Sequence, residues 1–331
     1  MNKKQLTFID PKTTIRVFEG FAGYGGASFA LKRSGLSYKV VGMSEFDPFA
    51  SKLLAQNFPG IKNWGDITAI DADELPDFDL FTGGFPCQPF SSAGLQLGEQ
   101  DKYGRGTLLH HILRIVEHKR PEYILLENVK GLTAKKFAGT FNYLKSKLKE
   151  LGYGDLAYAV LNSKDYGIPQ NRERLWMFAK LGGLPDDFDI VPPKENLVYR
   201  FGDFLDVNPP NELYLSDAQI EHLKEKHHID NFIVPEPLCF DVYNKKIKTD
   251  AICITITQPE HNSLRVIEVP KGDGKEVVRK MSVNEQFRFM GFNNGELDFA
   301  GQSYSQLSKR AGNGWDVNLV GKLLKHIFGQ L

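Results

Sequence analysis

The chain has 331 residues, and its 41 Lys and Arg balance 41 Asp and Glu, so no formal net charge remains. That balance argues against a small basic nucleic-acid module but allows an enzyme with one basic cleft, and 41% hydrophobic with 25% charged residues suits an ordinary globular protein of one large and one smaller domain. No apolar run reaches the roughly 18 residues of a bilayer span, Met1 to Lys12 lacks a secretory apolar core, and Cys87, Cys239 and Cys253 have neither an even count nor CxxC spacing, so we expect a cytoplasmic protein with no membrane association, disulfide framework or zinc.

Strand-like and helix-like stretches alternate through the first half. Thr14 to Glu19 is β-rich and ends at a glycine cluster; Gly26 to Ser34 has helical spacing. Tyr38 to Met43 is the next strand and Pro48 to Asn57 the next helix. A short third strand precedes Gly65, and Asp79 to Thr82 is a buried strand that opens into a Gly/Pro loop. Thr107 to Lys119 is an amphipathic helix, Tyr123 to Glu127 a buried strand, and Phe137 to Leu151 a helix. Ala157 to Asn162 and Leu175 to Ala179 are further strands. This rhythm predicts an α/β fold, a doubly wound and mostly parallel sheet with helices on both faces, whose ligands sit at the carboxyl ends of the strands. After about Leu181 prolines break the pattern and short β-rich pieces follow, such as Ala251 to Thr257 and Ser263 to Val269. Residues 184–278 are therefore read as a smaller, irregular, β-rich domain, and residues 1–183 and 279–331 as the main one. Helical pattern returns at Ser282 to Met290, opened by a Ser282/Glu285 capping box, and at Asn318 to Phe328.

The turn Phe21-Ala22-Gly23-Tyr24-Gly25-Gly26 between strand and helix has the form of a nucleotide loop. Glycines permit close backbone approach, and the helix N-terminus offers N–H groups to a carboxylate. Glu45, at the end of the next strand, stands where a carboxylate grips ribose hydroxyls. Ser28 occupies the third position of GxGxxG, so a nucleoside with an amino-acid tail fits better than a dinucleotide. Asp66 is a candidate acceptor for an adenine amino group, with Ile67 against the ring; an ordinary helix cap is the alternative for Asp66.

The loop from Thr82 to Ser91 presents Pro86 and Cys87 among glycines and prolines at the same sheet edge, which suits a nucleophile better than the small buried hydrophobe a lone cysteine usually is. Glu127 ends the following strand, where partial desolvation would raise its pKa and favour proton donation. Arg172 and Arg174, at alternate positions before the Leu175 strand, would share one face and orient a carboxyl, a base carbonyl or a phosphate. The pairs His110-His111 and His227-His228 lack a third ligand at metal-binding spacing, so no metal is expected.

In this order the segments FEGFAGYGG, GGFPCQPFS, ENV, QNRER, RKMSVNEQFRFM and Gly312-Asn313-Gly314 resemble the bacterial cytosine-C5-specific DNA methyltransferases. The resemblance covers nearly all of the chain outside 184–278, with Glu19 for the usual Asp, an inserted-looking Gly20 and an unusual Gly314-Trp315 as departures. It implies a Rossmann-like class I methyltransferase domain with a target-recognition domain and S-adenosylmethionine as cofactor. Phe21, Gly23, Gly25, Glu45, Asp66, Ile67, Pro86, Leu108 and Asn313 would bind that cofactor. Cys87 would attack C6 of a cytosine flipped out of double-stranded DNA. Glu127 and Arg174 would hold and activate the base with support from Arg172, and Ser91 to Arg105 would close over it. Lys245, Lys246, Lys248, Asn262 and Arg265 are candidate DNA contacts, and the CITIT stretch around Thr255 and Thr257 resembles a family segment there. A separately encoded restriction endonuclease and a monomeric enzyme fit this class. A tRNA cytosine-5 methyltransferase on the same scaffold is the alternative; the Phe85-Pro86-Cys87 and Cys239-Phe240-Asp241 sequences favour DNA. A nicotinamide-dependent oxidoreductase would require GxGxxG and gives Cys87 no role.

Overall fold

The computed structural model describes residues 14–86, 108–259, 264–270, 272 and 274–331. In chain order the first half contains β1 (Ile15–Gly20), α1 (Gly26–Ser34), β2 (Tyr38–Ser44), α2 (Pro48–Asn57), β3 (Leu80–Gly84), α3 (Leu108–Lys119), β4 (Tyr123–Val129), α4 (Ala138–Glu150), β5 (Ala157–Asn162), β6 (Gln170–Asn171) and β7 (Glu173–Lys180). The second half contains α5 (Asp217–His227), β8 (Leu238–Asp241), β9 (Lys246–Lys248), β10 (Cys253–Ile254), β11 (Leu264–Glu268), β12 (Val277–Arg279), α6 (Val283–Phe289), α7 (Tyr304–Asn313) and α8 (Val317–Phe328). The elements expected in the first half are present within a few residues of their expected bounds, except the strand before Gly65, which is only an isolated bridge between Met43 and Asn63.

Two compact units divide the chain. Unit 1 holds the described residues up to Leu161, with Glu173–Pro193 and Val320–Leu331. Its sheet has the order β2-β1-β3-β4-β7-β5; β1 pairs in parallel with both β2 and β3, β3 in parallel with β4, and β4 antiparallel with β7. Because the chain leaves β1 first toward β2 and then crosses to β3, a topological switch point lies between β1 and β3, where ligand crevices form at the strand carboxyl ends. Alternation along β4 divides its side chains between two helical layers. Ile124 and Leu126 join a buried core with Ile112 and Ile115 of α3 and Leu144 and Leu148 of α4, whereas Tyr123 meets Phe328 of α8 edge-on at 4.9 Å. On that second face α8 also packs on α1, so closely that a Cβ at Gly321 would stand 2.9 Å from Cβ of Arg33.

Unit 2 comprises Asn162–Arg172 and, among described residues, Lys194–Leu319. Its antiparallel sheet has the order β12-β11-β8-β9, over a core that includes Phe232, Phe240, Val266 and Phe289. Set beside the range 184–278 read from the sequence, unit 2 begins its main stretch at Lys194, runs on to Leu319 and includes an extra segment, Asn162–Arg172. The extra segment is held in unit 2 by β6–β10 pairing and by Asn318, whose side-chain amide donates to the Tyr166 carbonyl at 2.7 Å. The unit is also less irregular than its prolines suggest, since α5 and α7 were not expected. The Ser282 capping box is present: the Ser282 hydroxyl accepts from Glu285 N–H at 3.1 Å, and the Glu285 carboxylate accepts from Ser282 N–H at 2.6 Å. Arg279, fully buried, forms a two-pronged pair with the equally buried Glu285 at 2.7 and 2.8 Å. No helix among the described residues is long and apolar enough to cross a membrane.

Candidate active site

The turn after β1 adopts the backbone that its glycines permit. Phe21, Gly23 and Gly25 all have positive φ, at 52°, 59° and 87°. Gly25 is also sterically required, since a Cβ there would lie 2.2 Å from Cε2 of Phe58. The amides of this turn and of the first turn of α1 are less available to a ligand than the sequence suggests. Ala22 N–H donates to the Ser44 carbonyl, Gly25 N–H to the Ala22 carbonyl and Gly23 N–H to the Glu45 carboxylate at 2.8 Å. Ala27 N–H and Ser28 N–H both donate to the carboxylate of Glu19, at 2.8 and 3.1 Å, and the Ser28 hydroxyl joins them at 2.6 Å. Glu19, only 3% exposed, therefore caps α1 from inside the protein. Burial pushes its pKa up to about 7 even though these hydrogen bonds act in the opposite direction. Glu19, a departure from the family's usual Asp, is thus the internal acceptor for the first turn of α1.

Glu45 is fixed by two of its own acceptor contacts, one from Gly23 N–H and the other from Asp47 N–H at 2.8 Å, while its backbone is bracketed by the Asn63 side chain. Beside it Phe46 is 74% exposed, an unusual position for a large apolar ring and one the sequence reading passed over. The signal was present as an aromatic directly after a loop carboxylate. Asp66 is exposed, and its carboxylate accepts from Thr68 N–H at 2.9 Å in a local turn. Ile67 is buried to 3% within the core, and Leu108 is partly buried against that core. Two carboxylates and an exposed ring at one sheet edge match two hydroxyl donors, an amino donor and a flat heterocycle; the donor set fits a nucleoside.

Pro86 is exposed at the end of β3, and Cys87 and the segment from Ser91 to Arg105 lie outside the described residues. What the structure does give is the footing of that loop. Parallel pairing sets Gly84 of β3 opposite Glu127 of β4. Asn128, 2% exposed, donates its side-chain amide to the Phe85 carbonyl at 2.9 Å, tying β4 to the residue two positions before Cys87. Sequence reading noticed the ENV triplet but gave Asn128 no task.

Glu127 is 8% exposed, and Arg174 Nε lies 3.2 Å from its Oε1. The antiparallel register, which pairs Val129 with Arg174, brings them together. Burial draws the Arg174 pKa below its ordinary value, and the Glu127 charge opposes that shift. Arg172 does something different. The strand is interrupted between β6 and β7, and Arg172, in that gap and within unit 2, does not share a strand face with Arg174. Its guanidinium, 2% exposed, donates to the backbone carbonyls of Ile256 at 3.0 Å, Gly312 at 3.1 Å and Gly314 at 2.7 Å. It is a clasp on the two residues flanking the exposed Asn313. Gly312 belongs to the same junction, because a Cβ there would stand 2.5 Å from the Thr257 carbonyl carbon.

Of the candidate DNA contacts, Lys248 pairs with Asp250 at 3.2 Å, and Arg265 donates to the Leu264 carbonyl at 2.7 Å. Lys245 and Lys246 are exposed at the start of β9, Asn262 lies outside the described residues, and Thr255 donates its hydroxyl to the Asn171 carbonyl at 2.6 Å. His110 Nδ1 lies 3.0 Å from the Tyr143 hydroxyl, and among the described residues no group of three or more His, Cys, Asp or Glu is disposed to hold a metal.

The sequence profile of the family described as C-5 cytosine-specific DNA methylase matches residues 15–329. The chain is 31% identical to the type II methyltransferase M2.ScrFI of Lactococcus lactis subsp. cremoris, over 95% of this chain and 99% of that protein. It is 37% identical to the type II methyltransferase M.NlaIV of Neisseria lactamica over 64% of this chain, but that match spans only 52% of the relative. Among solved structures, S. pombe Dnmt2 methyltransferase superposes with a TM-score of 0.72 at 20% identity, covering 95% of this chain and 98% of that one, which is a likeness of fold.

Proposed function

Because the chain belongs to the C-5 cytosine-specific DNA methylase family, we propose that this sheet edge transfers a methyl group from S-adenosylmethionine to C5 of a flipped cytosine in duplex DNA, with Cys87 as the nucleophile. The observation that carries the assignment is the Glu127–Arg174 pair at the end of β4, in register with Gly84 three residues before Cys87. Glu45 faces ribose hydroxyls, Asp66 the adenine amino group and Phe46 the purine ring. Phe21, Gly23, Gly25, Ile67, Pro86, Leu108 and Asn313 are assigned to the cofactor by their motifs.

The cofactor supplies an electrophilic methyl carbon on a sulfonium. The remaining work is that of the chain. Cytosine C5 is a poor nucleophile, and addition of the Cys87 thiolate to C6 forms an S–C6 bond that places electron density on C5. Glu127 holds or donates the proton at N3 as that density builds, and Arg174 keeps the carboxyl oriented toward the ring. After C5 is methylated, a base takes the C5 proton and the C6–S bond breaks to release the thiolate. Asn128 fixes the Phe85 carbonyl, so the cysteine loop and the acid share one footing. Unit 2 supplies target recognition. We further assign the chain a cytoplasmic monomer's role, and the type II naming of its relatives supports a separately encoded restriction endonuclease as partner.

The test is methyl transfer from labelled S-adenosylmethionine to duplex DNA, with mapping of the modified base. We expect 5-methylcytosine in one sequence context. Cys87→Ser should abolish transfer and retain DNA binding. Methylation of tRNA without methylation of DNA would overturn the substrate assignment, and an active serine variant the nucleophile.

A further inference from the structure

From Val129 to Lys149 the chain carries Lys130, Lys135, Lys136, Lys145, Lys147 and Lys149 and no acidic residue, in a protein whose charge sums to zero. The stretch lies in unit 1 and follows directly on Glu127. It runs through two 3-10 turns, Lys130–Thr133 and Lys135–Phe137, into α4. Three of the lysines are neutralised locally: Lys130 pairs with Glu173, Lys147 with Glu150 at 2.6 Å and Lys149 with Asp155 at 2.9 Å. Lys145, on α4, leans over the rings of Phe141 and Tyr158 at 5.8 and 5.7 Å.

Lys135 and Lys136 differ from the three paired lysines. Both are exposed, they are adjacent, and neither has an acidic partner among the described residues. Their turn is nevertheless well anchored. Leu132 is fully buried, Ala134 N–H donates to the Gly131 carbonyl at 3.0 Å, Phe137 N–H to the Ala134 carbonyl at 2.8 Å, and Phe137 packs on the unit 1 core. The Lys136 ammonium stands 4.8 Å from the centroid of the Phe137 ring. Two exposed lysines thus stand adjacent in sequence on a fixed turn with no acidic partner among the described residues, an arrangement suited to an external polyanion. Eight residues separate Glu127 from Lys135. At no more than about 3.6 Å per residue they lie within about 29 Å of each other, less than one duplex turn of roughly 34 Å.

We propose that Lys135 and Lys136 bind phosphates of the DNA duplex whose target cytosine is presented to Glu127. The inference rests on the function proposed above and adds a phosphate-tracking contact on unit 1. Such contacts position the duplex and carry no sequence information.

Affinity is measured by fluorescence anisotropy for a duplex containing the mapped target and for one lacking it, across a salt series from about 50 to about 200 mM. Each phosphate contact contributes about −0.9 to the slope of log K against log salt. Lys135→Ala and Lys136→Ala should each flatten that slope by about 0.9 and weaken binding about eightfold near 0.1 M salt, equally for both duplexes. Lys135→Arg and Lys136→Arg should retain the wild-type slope, and Lys147→Ala, whose ammonium is already paired, should leave it unchanged. An unchanged slope in the double alanine variant, with an unchanged melting temperature, overturns the proposal while leaving the enzyme assignment intact. A loss confined to the target duplex also overturns it, since that would be base reading. A wild-type chain that binds neither duplex overturns both this inference and the function beneath it.

Discussion

Replacing Glu19 with glutamine removes a titrating group and changes little else in shape, which makes the internal cap of α1 open to a quantitative test. The wild-type carboxyl titrates at 4.5 when solvated and is pushed up to about 7 by burial in the folded chain. Between those values the native state holds a proton that the unfolded state has released. Stability therefore falls as pH rises from about 4.5 through about 7, the reverse of the trend for a salt-bridged carboxylate. The interval from 4.5 to about 7 corresponds, at 1.36 kcal/mol for each pH unit, to roughly 3 kcal/mol, of which about 2.5 kcal/mol accrues between about pH 5 and about pH 8. Urea unfolding of wild type and Glu19→Gln across that range gives the difference in stability at each pH, and titrations common to both chains cancel. The wild-type advantage should shrink by about 2 to 3 kcal/mol from the acid to the alkaline end. A difference that stays flat, or that grows with pH, would refute the claim that burial outweighs the three hydrogen bonds.

Three further substitutions probe the other buried contacts. Arg172→Ala strips charged donors from three backbone carbonyls and should destabilise unit 2 by about 4 kcal/mol, with Arg172→Lys recovering part of that; thermal unfolding measures both, and a neutral alanine variant would contradict the clasp. Asn128→Ala frees the Phe85 carbonyl, so kcat should drop about tenfold with KM for DNA little changed and stability reduced by about 1 to 2 kcal/mol; a change in KM alone would deny the residue its positioning role. Gly312→Ala inserts a methyl 2.5 Å from the Thr257 carbonyl carbon, backbone that moves only with its whole segment, and should cost about 3 kcal/mol of stability in denaturant unfolding.

How much of this was legible in the sequence depended on where each group finds its partner. The sheet of unit 1 could be read because its strands are short apolar runs punctuated by glycine and proline, and α1, α2 and β5 have the bounds expected of them. Helix α5 escaped because it buries little more than Ile220 and His227, so no apolar stripe marks its period, although Ser216 and Gln219 form a capping box that was available to be read. Helix α7 escaped for a similar reason, since its buried side includes Ser308, Arg310 and Gly312. Glu45 and Glu127 could be singled out as candidates because strand ends at one edge of a parallel sheet are where carboxylates act on ligands, and they stand at the ends of β2 and β4. Glu19 and Asn128 were given no task because their partners are backbone groups: those of Ala27 and Ser28 lie one turn into the next helix, and that of Phe85 lies on a neighbouring strand. Residue type alone does not announce such bonds.

The two arginines of QNRER show why alternation alone can mislead. Positions two apart share a face only while the strand continues, and here the chain leaves β6 at Asn171 and enters β7 at Glu173. Arg174, inside the strand, meets Glu127; Arg172, in the gap, holds three carbonyls. One of the pair therefore meets the Glu127 carboxylate, and the other organises backbone. Kinetics can separate these roles. A group that touches the base should lose kcat with stability nearly intact, whereas a clasp should lose stability and activity together and recover both in the conservative variant. Arg172, Asn128 and Glu19 fall on the second side of that division because each binds backbone groups. Phe46 and Asp66, exposed and assigned to the cofactor in the function proposed above, should instead raise KM for S-adenosylmethionine with stability nearly intact.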